Sequence, residues 1–230
     1  MRLSKRLGRV AANVQSGGVV ADIGCDHGFT SIYLVRQGQV RGAIALDVNA
    51  GPLARAWEHV ERYSLMDRIQ VRLSDGMEKL APGEADTLLV SGLGGALMER
   101  ILERGRDVVR EATELVLSPQ SEIFLVRKKV HELGFSIVHE EMVEDQKKYY
   151  VIIRAIPGRE CYGEEEYLYG RMLVQERDPA FREYLGREAL RLEELELHMS
   201  RSRLSLSGKE RLESCRQERQ RIQALLDQLH

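Results

Sequence analysis

The sequence predicts an α/β fold in which a largely parallel β-sheet, covered by helices on both faces, is followed by a helical appendage. From Val19 to about Ile156, β-rich runs alternate with helical patterns, as expected of a parallel sheet. The last two β-rich runs are joined by only a few polar residues, Glu144 to Lys147, so they form a hairpin and must be antiparallel. After residue 158 the composition shifts to Glu, Arg and Leu, as in long exposed helices. The predicted domains are therefore residues 1–158 and 159–230.

An amphipathic helix is predicted before the first strand, because the apolar residues of LSKRLGRVAANV recur at helical spacing. Seven strands follow, and the first five each begin a strand–helix unit. The strands are predicted at VVADIG (19–24), AIALDV (43–48), IQVRLSD (69–75), ADTLLVSG (85–92), ELVLSP (114–119), FSIVHEEMV (135–143) and KYYVIIRAI (148–156).

Two helix starts are marked by short polar side chains that can accept hydrogen bonds from free backbone amides. Asn49 is predicted to cap the helix that Pro52 opens. Ser121 is predicted to cap the helix that ends before Gly134.

The appendage is predicted to be an antiparallel coiled-coil hairpin of two helices. The segment SLSGKE (205–210) interrupts the pattern and is predicted to form the turn. Self-packing or oligomerisation is the simplest role for this domain, although a monomer is favoured. Apolar residues recur every seven positions at Leu185, Leu192, Met199 and Leu206, and again at Cys215, Ile222 and Leu229.

Composition limits the class of protein. The chain has 230 residues, 43% of them hydrophobic, and a formal net charge of -2, so only a local patch can attract a polyanion. The cysteines and histidines lack the spacing of a disulfide framework or a metal site, and no apolar run is long enough to span a membrane. We expect a metal-free, soluble protein of the cytoplasm. One basic patch, Arg2, Lys5, Arg6 and Arg9, is a candidate nucleic-acid-binding surface or a solvated helix face.

A glycine-containing turn follows the first strand, in DIGCDHGFTSIYL. Glycines here let backbone amides approach a ligand, and the following helix N-terminus favours anionic groups. Asp26 stands where a dinucleotide-binding turn normally has glycine, and its carboxylate would repel a pyrophosphate. The turn therefore disfavours NAD and suits a cationic cofactor without phosphate, such as S-adenosylmethionine. A turn that binds no cofactor is the alternative.

Two more carboxylates follow the next two strands. Asp47 ends the second strand, where an acidic residue commonly accepts hydrogen bonds from both ribose hydroxyls of an adenosine. Asp75 follows the third strand and is predicted to face the adenine, with Gly76 giving clearance. Carboxyl ends of parallel strands share one edge of a sheet, so these groups form a constellation. For Asp47 alone, a helix cap is the alternative.

The fourth strand ends in SGLGG (91–95), which has no side chain to hold an exocyclic amine. Its glycines allow a planar ring to lie against the backbone, which suits a ring nitrogen that attacks through its own lone pair. Catalysis is then mainly alignment of nitrogen, methyl and sulfur. No general base is identified, and a tight turn is the alternative. The candidate catalytic residues are Asp26, Gly92, Gly94 and Gly95.

These motifs together resemble the TrmK family of bacterial tRNA (adenine-22 N1) methyltransferases. The likeness runs from LSKRLGRVA through VVADIGCDHG, IALDVNAGPLARA, SDGMEKL and SGLGGALMERIL to KKYYVIIRA. The resemblance implies a class I, Rossmann-like methyltransferase fold, a coiled-coil appendage and methyl transfer from S-adenosylmethionine to N1 of adenine 22 in tRNA. It places cofactor contacts at Gly24, Asp26, His27, Asp47, Asp75, Gly76 and Gly92, and the neighbouring Gly28 and Val48 are also predicted to bind the cofactor.

Two other functions stay open at this point. One is a methyltransferase that acts on a protein or a small molecule, which the first domain alone does not exclude. The other is a non-catalytic RNA-binding adaptor, against which the intact acidic strand ends argue.

Overall fold

A computed structural model describes residues 1–15, 17–200 and 205–229 of the chain. It divides into two compact units, Met1–Met172 and Leu173–His230. The division falls later than the predicted boundary after residue 158. The intervening segment includes a short helix that is attached to the first unit, as described below.

The first unit is built on a seven-stranded mixed sheet, which confirms the predicted fold class. The strand order is β3-β2-β1-β4-β5-β7-β6. The first five strands are parallel, whereas β7 is antiparallel to both of its neighbours. All seven predicted strands are present, as β1 (Val19–Ile23), β2 (Gly42–Asp47), β3 (Ile69–Leu73), β4 (Thr87–Ser91), β5 (Glu114–Ser118), β6 (Phe135–Asp145) and β7 (Lys148–Pro157).

Helices pack against this sheet, and a further pair forms the second unit. Strands β2 and β5 are buried at every position, as strands inside parallel sheets are. No helix among the described residues is both long and apolar enough to cross a bilayer. The helices are α1 (Lys5–Ala12), α2 (Phe29–Arg36), α3 (Ala50–Arg62), α4 (Gly95–Arg104), α5 (Arg106–Glu111), α6 (Ile123–Glu132), α7 (Glu164–Tyr169), α8 (Arg171–Gln175), α9 (Pro179–Ser200) and α10 (Leu206–Gln228).

The prediction of five strand–helix units was wrong at β3. Residues 74–86, all of them described, contain turns but no helix. Arg72 holds this connection in place, because its guanidinium donates to the carbonyl oxygen of Lys79 at 2.9 Å and pairs with Glu84. Pro82 and Gly83 within it also disfavour a helix.

Both predicted helix caps differ in detail from the structure. Asn49 is the N-cap residue of α3, but its side chain makes no capping hydrogen bond and the helix starts at Ala50. The N-cap of α6 is Glu122, with φ 43°, and not Ser121. The Ser121 hydroxyl donates to the Glu122 carboxylate at 2.6 Å, so it is used within the loop instead.

Helices α9 and α10 pack together through buried residues that include Leu185, Leu192, Cys215 and Ile222. The segment 205–210 was wrongly predicted as the turn. Ser205 is the N-cap of α10, its Oγ accepting from the Gly208 amide at 3.2 Å, and Leu206 is 76% exposed. Residues 201–204, between the helices, lie outside the described residues. The coiled-coil geometry stays a prediction.

Helix α7 belongs to the first unit because a buried ion pair holds it there. Arg127 of α6 binds Glu140 of β6 at 2.7 Å, and both side chains are almost fully buried. The same guanidinium donates to the carbonyl oxygens of Tyr167 and Leu168 in α7, at 2.9 and 3.1 Å. Burial raises the pKa of Glu140, although Arg127 opposes that shift.

Candidate active site

The carboxyl ends of the parallel strands open into one cavity of about 440 Å³. This volume is typical of a pocket that holds a small molecule. Residues that follow β1, β2, β3, β4 and β5 all contribute to its lining. The cavity brings together seven of the nine residues predicted to bind a cofactor, namely Gly24, Asp26, Asp47, Val48, Asp75, Gly76 and Gly92.

The other two predicted residues lie beside the cavity. His27 lines a smaller adjoining pocket of about 90 Å³, which it shares with Asp26. Its Nδ1 accepts a hydrogen bond from Arg55 Nε at 3.1 Å. Gly28 is buried at the start of α2, where a methyl group would lie 3.2 Å from the side chain of Ala56.

Asp47 holds two loops at the centre of the cavity. Its Oδ2 accepts from the backbone amide of Asp26 at 3.0 Å, and its Oδ1 accepts from that of Asn49 at 2.8 Å. The first of these bonds supports an unusual backbone, because Asp26 has φ 51°. Each carboxylate oxygen keeps a second lone pair, so Asp47 can still accept from a ligand hydroxyl.

Beneath the turn, the acidic surroundings are reinforced by a buried carboxyl. Burial raises the pKa of Asp22 to about 6, although a hydrogen bond from Ser31 opposes that shift. The Ser31 hydroxyl donates to Asp22 Oδ2 at 2.7 Å. Burial, together with the neighbouring carboxylates, also raises the pKa of the Cys25 thiol. The side chains around this turn therefore favour a cation over an anion.

Asp75 lies at the far end of the cavity and is paired with Arg104. The two groups are 2.9 Å apart and both are about half exposed. The same Arg104 pairs with Glu78, and the three residues also line a neighbouring pocket of about 270 Å³. The carboxylate is therefore fixed on one side while its other face borders the cavity.

The glycines after β4 have separate positions. Gly92 lines the cavity, and its φ of 87° suits only glycine without strain. Gly94 is the N-cap of α4. Gly95 packs against the β5–α6 loop, where a methyl group would lie 2.3 Å from the carbonyl oxygen of Ser121. Of the four candidate catalytic residues, Asp26 and Gly92 line the cavity, whereas Gly94 and Gly95 do not.

The basic residues of the N-terminal segment do not form one continuous patch. Arg2 and Lys5 are exposed. Arg6 instead lines the cavity, where Nη1 donates to Ser91 Oγ at 3.2 Å and the guanidinium lies 5.1 Å from the ring centre of Tyr150. Arg9 pairs with Glu141, its Nε donating at 2.8 Å.

Sequence reasoning missed several residues of the cavity, including Ser91, Leu97 and Gln120. Gln120 had a detectable signal, because it lies at the carboxyl end of β5 as Asp47 and Asp75 lie at the carboxyl ends of their strands. The position of Arg6 had none, since it depends on how α1 packs on the sheet. Within the described ranges, no three His, Cys, Asp or Glu side chains are arranged to hold a metal ion.

Comparison with known proteins gives the same architecture. Residues 3–153 match the family described as a methyltransferase domain. The curated tRNA (adenine(22)-N(1))-methyltransferase of Bacillus subtilis (strain 168) is 36% identical over 158 residues, which are 69% of this chain. The match spans 66% of that relative's length.

Two solved structures resemble the chain over nearly its full length. The B. subtilis m1A22 tRNA methyltransferase TrmK is 28% identical with a TM-score of 0.86, covering 98% of this chain and 99% of that one. Sp1610 of Streptococcus pneumoniae, in complex with S-adenosyl-L-methionine, is 31% identical with a TM-score of 0.85, covering 100% of both chains.

Proposed function

The chain belongs to the TrmK family of methyltransferases, and we propose that it transfers a methyl group from S-adenosylmethionine to N1 of adenine 22 in tRNA. The observation that carries this proposal is the convergence of Asp26, Asp47 and Asp75 on one cavity that also contains the glycine turn after β4. The B. subtilis relative, a tRNA (adenine(22)-N(1))-methyltransferase, supports the choice of substrate and atom.

The residues of the cavity fit S-adenosylmethionine. Its ammonium and sulfonium groups suit the acidic surroundings of Gly24 and Asp26, which would repel a phosphate. Asp47 would accept from the ribose hydroxyls, and the segment around Asp75 and Gly76 would border the adenine. When bound, the cofactor supplies an electrophilic methyl group. The S-adenosyl-L-methionine complex of Sp1610 supports this assignment.

The chain's own contribution to the reaction is alignment. N1 of adenine carries a lone pair, so no group has to remove a proton before attack. Gly92 leaves room for the flat face of the base beside β4, and the cavity wall holds the nitrogen toward the methyl group. Because N1 lies on the Watson–Crick edge, the adenine must be unpaired and swung out of its stack.

The tRNA is expected to approach along the edge of the cavity that α1 borders. Arg2 and Lys5 are exposed there and can contact phosphates, whereas Arg6 lies closer to the target base. Folded RNA is recognised largely by shape and backbone contacts, which local basic residues supply despite the net charge of -2. We place the protein in the cytoplasm with its tRNA substrate. The favoured monomeric state stays a prediction.

One experiment separates this proposal from the two alternatives. The purified chain is incubated with methyl-labelled cofactor and bulk tRNA from a bacterial strain that lacks the modification, and the nucleosides are then analysed. We expect labelled 1-methyladenosine. We expect none when the substrate is a transcribed tRNA in which adenine 22 is replaced by guanine. Label in protein or in a small molecule of a cell extract would indicate the other methyltransferase class. RNA binding without any methyl transfer would indicate an adaptor.

A further inference from the structure

Gln120 is placed at the part of the cavity where the target base would enter. It follows Pro119 directly after β5, and its backbone amide donates to the carbonyl oxygen of Leu93 at 2.9 Å. This bond ties the end of β5 to the turn that follows β4. A methyl group on Gly92 would lie 3.8 Å from Gln120 Nε2. The same methyl group would lie 3.5 Å from Arg6 Nη1, so the Gln120 carboxamide and the Arg6 guanidinium both border Gly92.

The Gln120 side chain is available for a ligand. The residue is exposed and lines the cavity, and its carboxamide makes no hydrogen bond to another of the described residues. Other polar side chains of the cavity are already engaged, such as Asp47 with two backbone amides and Asp75 with Arg104. A free carboxamide presents one acceptor and two donors in a single plane.

The strand order places Gln120 on the substrate side of the cavity. The cofactor's adenosine is assigned to the ends of β2 and β3, and its methionine end to the turn after β1. Strand β5 lies beyond β4 from all three, and neighbouring strands are about 4.8 Å apart. The end of β5 is thus about two strand spacings from the end of β1. A flat base beside Gly92 would have one edge on the Gln120 side.

We propose that Gln120 is a specificity-determining residue that reads the Hoogsteen edge of the target adenine. Its Nε2 donates to adenine N7 while its Oε1 accepts from the N6 amino group, the arrangement by which carboxamides recognise adenine. This pairing leaves N1 free to face the methyl group. Guanine presents acceptors at both N7 and O6, so the carboxamide cannot pair with both. The inference rests on the proposed function and adds the contact that selects the base.

The test combines a change in the protein with a change in one atom of the substrate. tRNA is assembled with either adenosine or 7-deazaadenosine at position 22, the latter lacking the N7 acceptor. Single-turnover methylation is measured with the unaltered chain, Gln120→Ala and Gln120→Glu, and cofactor affinity is measured by calorimetry. The matched control is Gln37→Ala, because Gln37 is an exposed glutamine at the far end of α2, outside the cavity.

We expect the unaltered chain and Gln37→Ala to methylate the 7-deaza substrate about tenfold more slowly than the adenosine substrate, because a donor is left unpaired. Gln120→Ala should act slowly on both and show little or no difference between them. Gln120→Glu should also lose the preference, because a carboxylate cannot donate to N7. Cofactor affinity should be the same in all four proteins.

An equal 7-deaza penalty in Gln120→Ala and the unaltered chain would overturn the inference. So would a loss of cofactor affinity in Gln120→Ala, which would assign the residue to the cofactor. If the unaltered chain made no 1-methyladenosine even from the adenosine substrate, the proposed function itself would fail, and this inference with it.

Discussion

Asp47 shows how one buried carboxylate serves both the fold and the site. It is only 8% exposed, and it fixes the turn after β1 and the start of α3 through two backbone amides. A ligand hydroxyl therefore meets a carboxylate whose position is already determined. Binding therefore requires little further ordering of the Asp47 side chain.

Replacing Asp47 tests whether the cofactor binds at these strand ends. We expect Asp47→Ala to weaken S-adenosylmethionine binding by about a hundredfold or more, because hydrogen bonds to a charged group are each worth roughly 1.5–3 kcal/mol. Calorimetric titration measures this change. Asp67→Ala, which removes an exposed carboxylate before β3, should bind normally. Normal affinity in Asp47→Ala would refute the assignment of the cofactor to these strand ends.

Asp22 should make the stability of the first unit depend on pH. Its folded pKa of about 6 lies above the ordinary value of 3.8, so the folded state holds the proton more tightly than the unfolded state. Well below the ordinary pKa both states are protonated and no cost arises. The unfolded state ionises first as the pH rises, and above the folded pKa the cost is complete at about 3 kcal/mol.

The variant Asp22→Asn keeps an acceptor for Ser31 but does not ionise. We expect it to match the unaltered chain at about pH 3 and to be up to about 3 kcal/mol more stable at about pH 7. Urea unfolding followed by fluorescence of Trp57, the only tryptophan, reports on this unit. A stability difference that does not change with pH would contradict the buried, ionising state of Asp22.

At the residue scale, the acidic strand ends could be predicted because strand position alone determines which edge of a sheet a residue borders. The direction of Arg6 could not, since it is set by contacts with Ser91 and Tyr150, which lie far along the chain. Gln120 was missed because a neutral carboxamide is a weaker signal than a carboxylate, although its place after β5 obeys the same rule.

The basic residues of the N-terminal segment have different roles. Arg2, which precedes α1, and Lys5, its first residue, are exposed, whereas Arg9 pairs with Glu141 of β6, whose side chain is largely buried. The helix is amphipathic as predicted, with Val10 in the core. Charge along a sequence segment therefore overstates the surface that is free to bind RNA.

Two sets of variants should separate these tasks. We expect the double variant Arg2→Ala, Lys5→Ala to weaken tRNA binding and to reduce the slope of log affinity against log salt by about 0.9 for each phosphate that is no longer neutralised. Its unfolding midpoint in urea should not change. Arg9→Ala should lower the midpoint, because Glu141 is deprived of a charged partner. An unchanged salt slope in the double variant would remove those residues from the RNA surface.

At the element scale, all seven strands were predictable because buried β-branched runs, punctuated by turns, repeat at regular intervals. The incorrect predictions concern positions where a side chain can bond to more than one local partner. Ser121 bonds to Glu122 and not to the helix amides, and Ser205 starts a helix where Gly208 had indicated a turn. After β3, Arg72 stabilises a loop where a helix had been predicted, because its guanidinium donates to the carbonyl oxygen of Lys79.

At the scale of the molecule, amino-acid composition predicted where the helical region lies. The boundary between the two units depends on a contact that composition does not show. Arg127 is directed toward α7 from inside α6, and its partner Glu140 is on β6. No sequence pattern links these positions. The observed division after Met172 therefore includes α7 in the first unit.

Removing this buried ion pair should destabilise the whole first unit. Arg127→Ala leaves Glu140 buried without its partner, for which we expect a loss of about 3–5 kcal/mol in unfolding free energy. Arg110→Ala, which breaks an exposed pair with Asp107, should leave stability unchanged. Thermal and urea unfolding measure both variants. Equal stability of the two would mean that the buried pair does not hold α7.

Arg6, which lines the cavity near the beginning of the chain, is bonded to a strand that is synthesised much later. The backbone amide of Arg6 donates to Asp145 at 2.9 Å, across 139 positions of sequence, and α1 packs mainly on β6. During synthesis, the first helix to leave the ribosome lacks its main partner until the sixth strand has emerged. A nascent chain therefore contains the complete glycine turn and its carboxylates well before the site is closed. Methyl transfer requires that the β6–β7 hairpin has first left the ribosome.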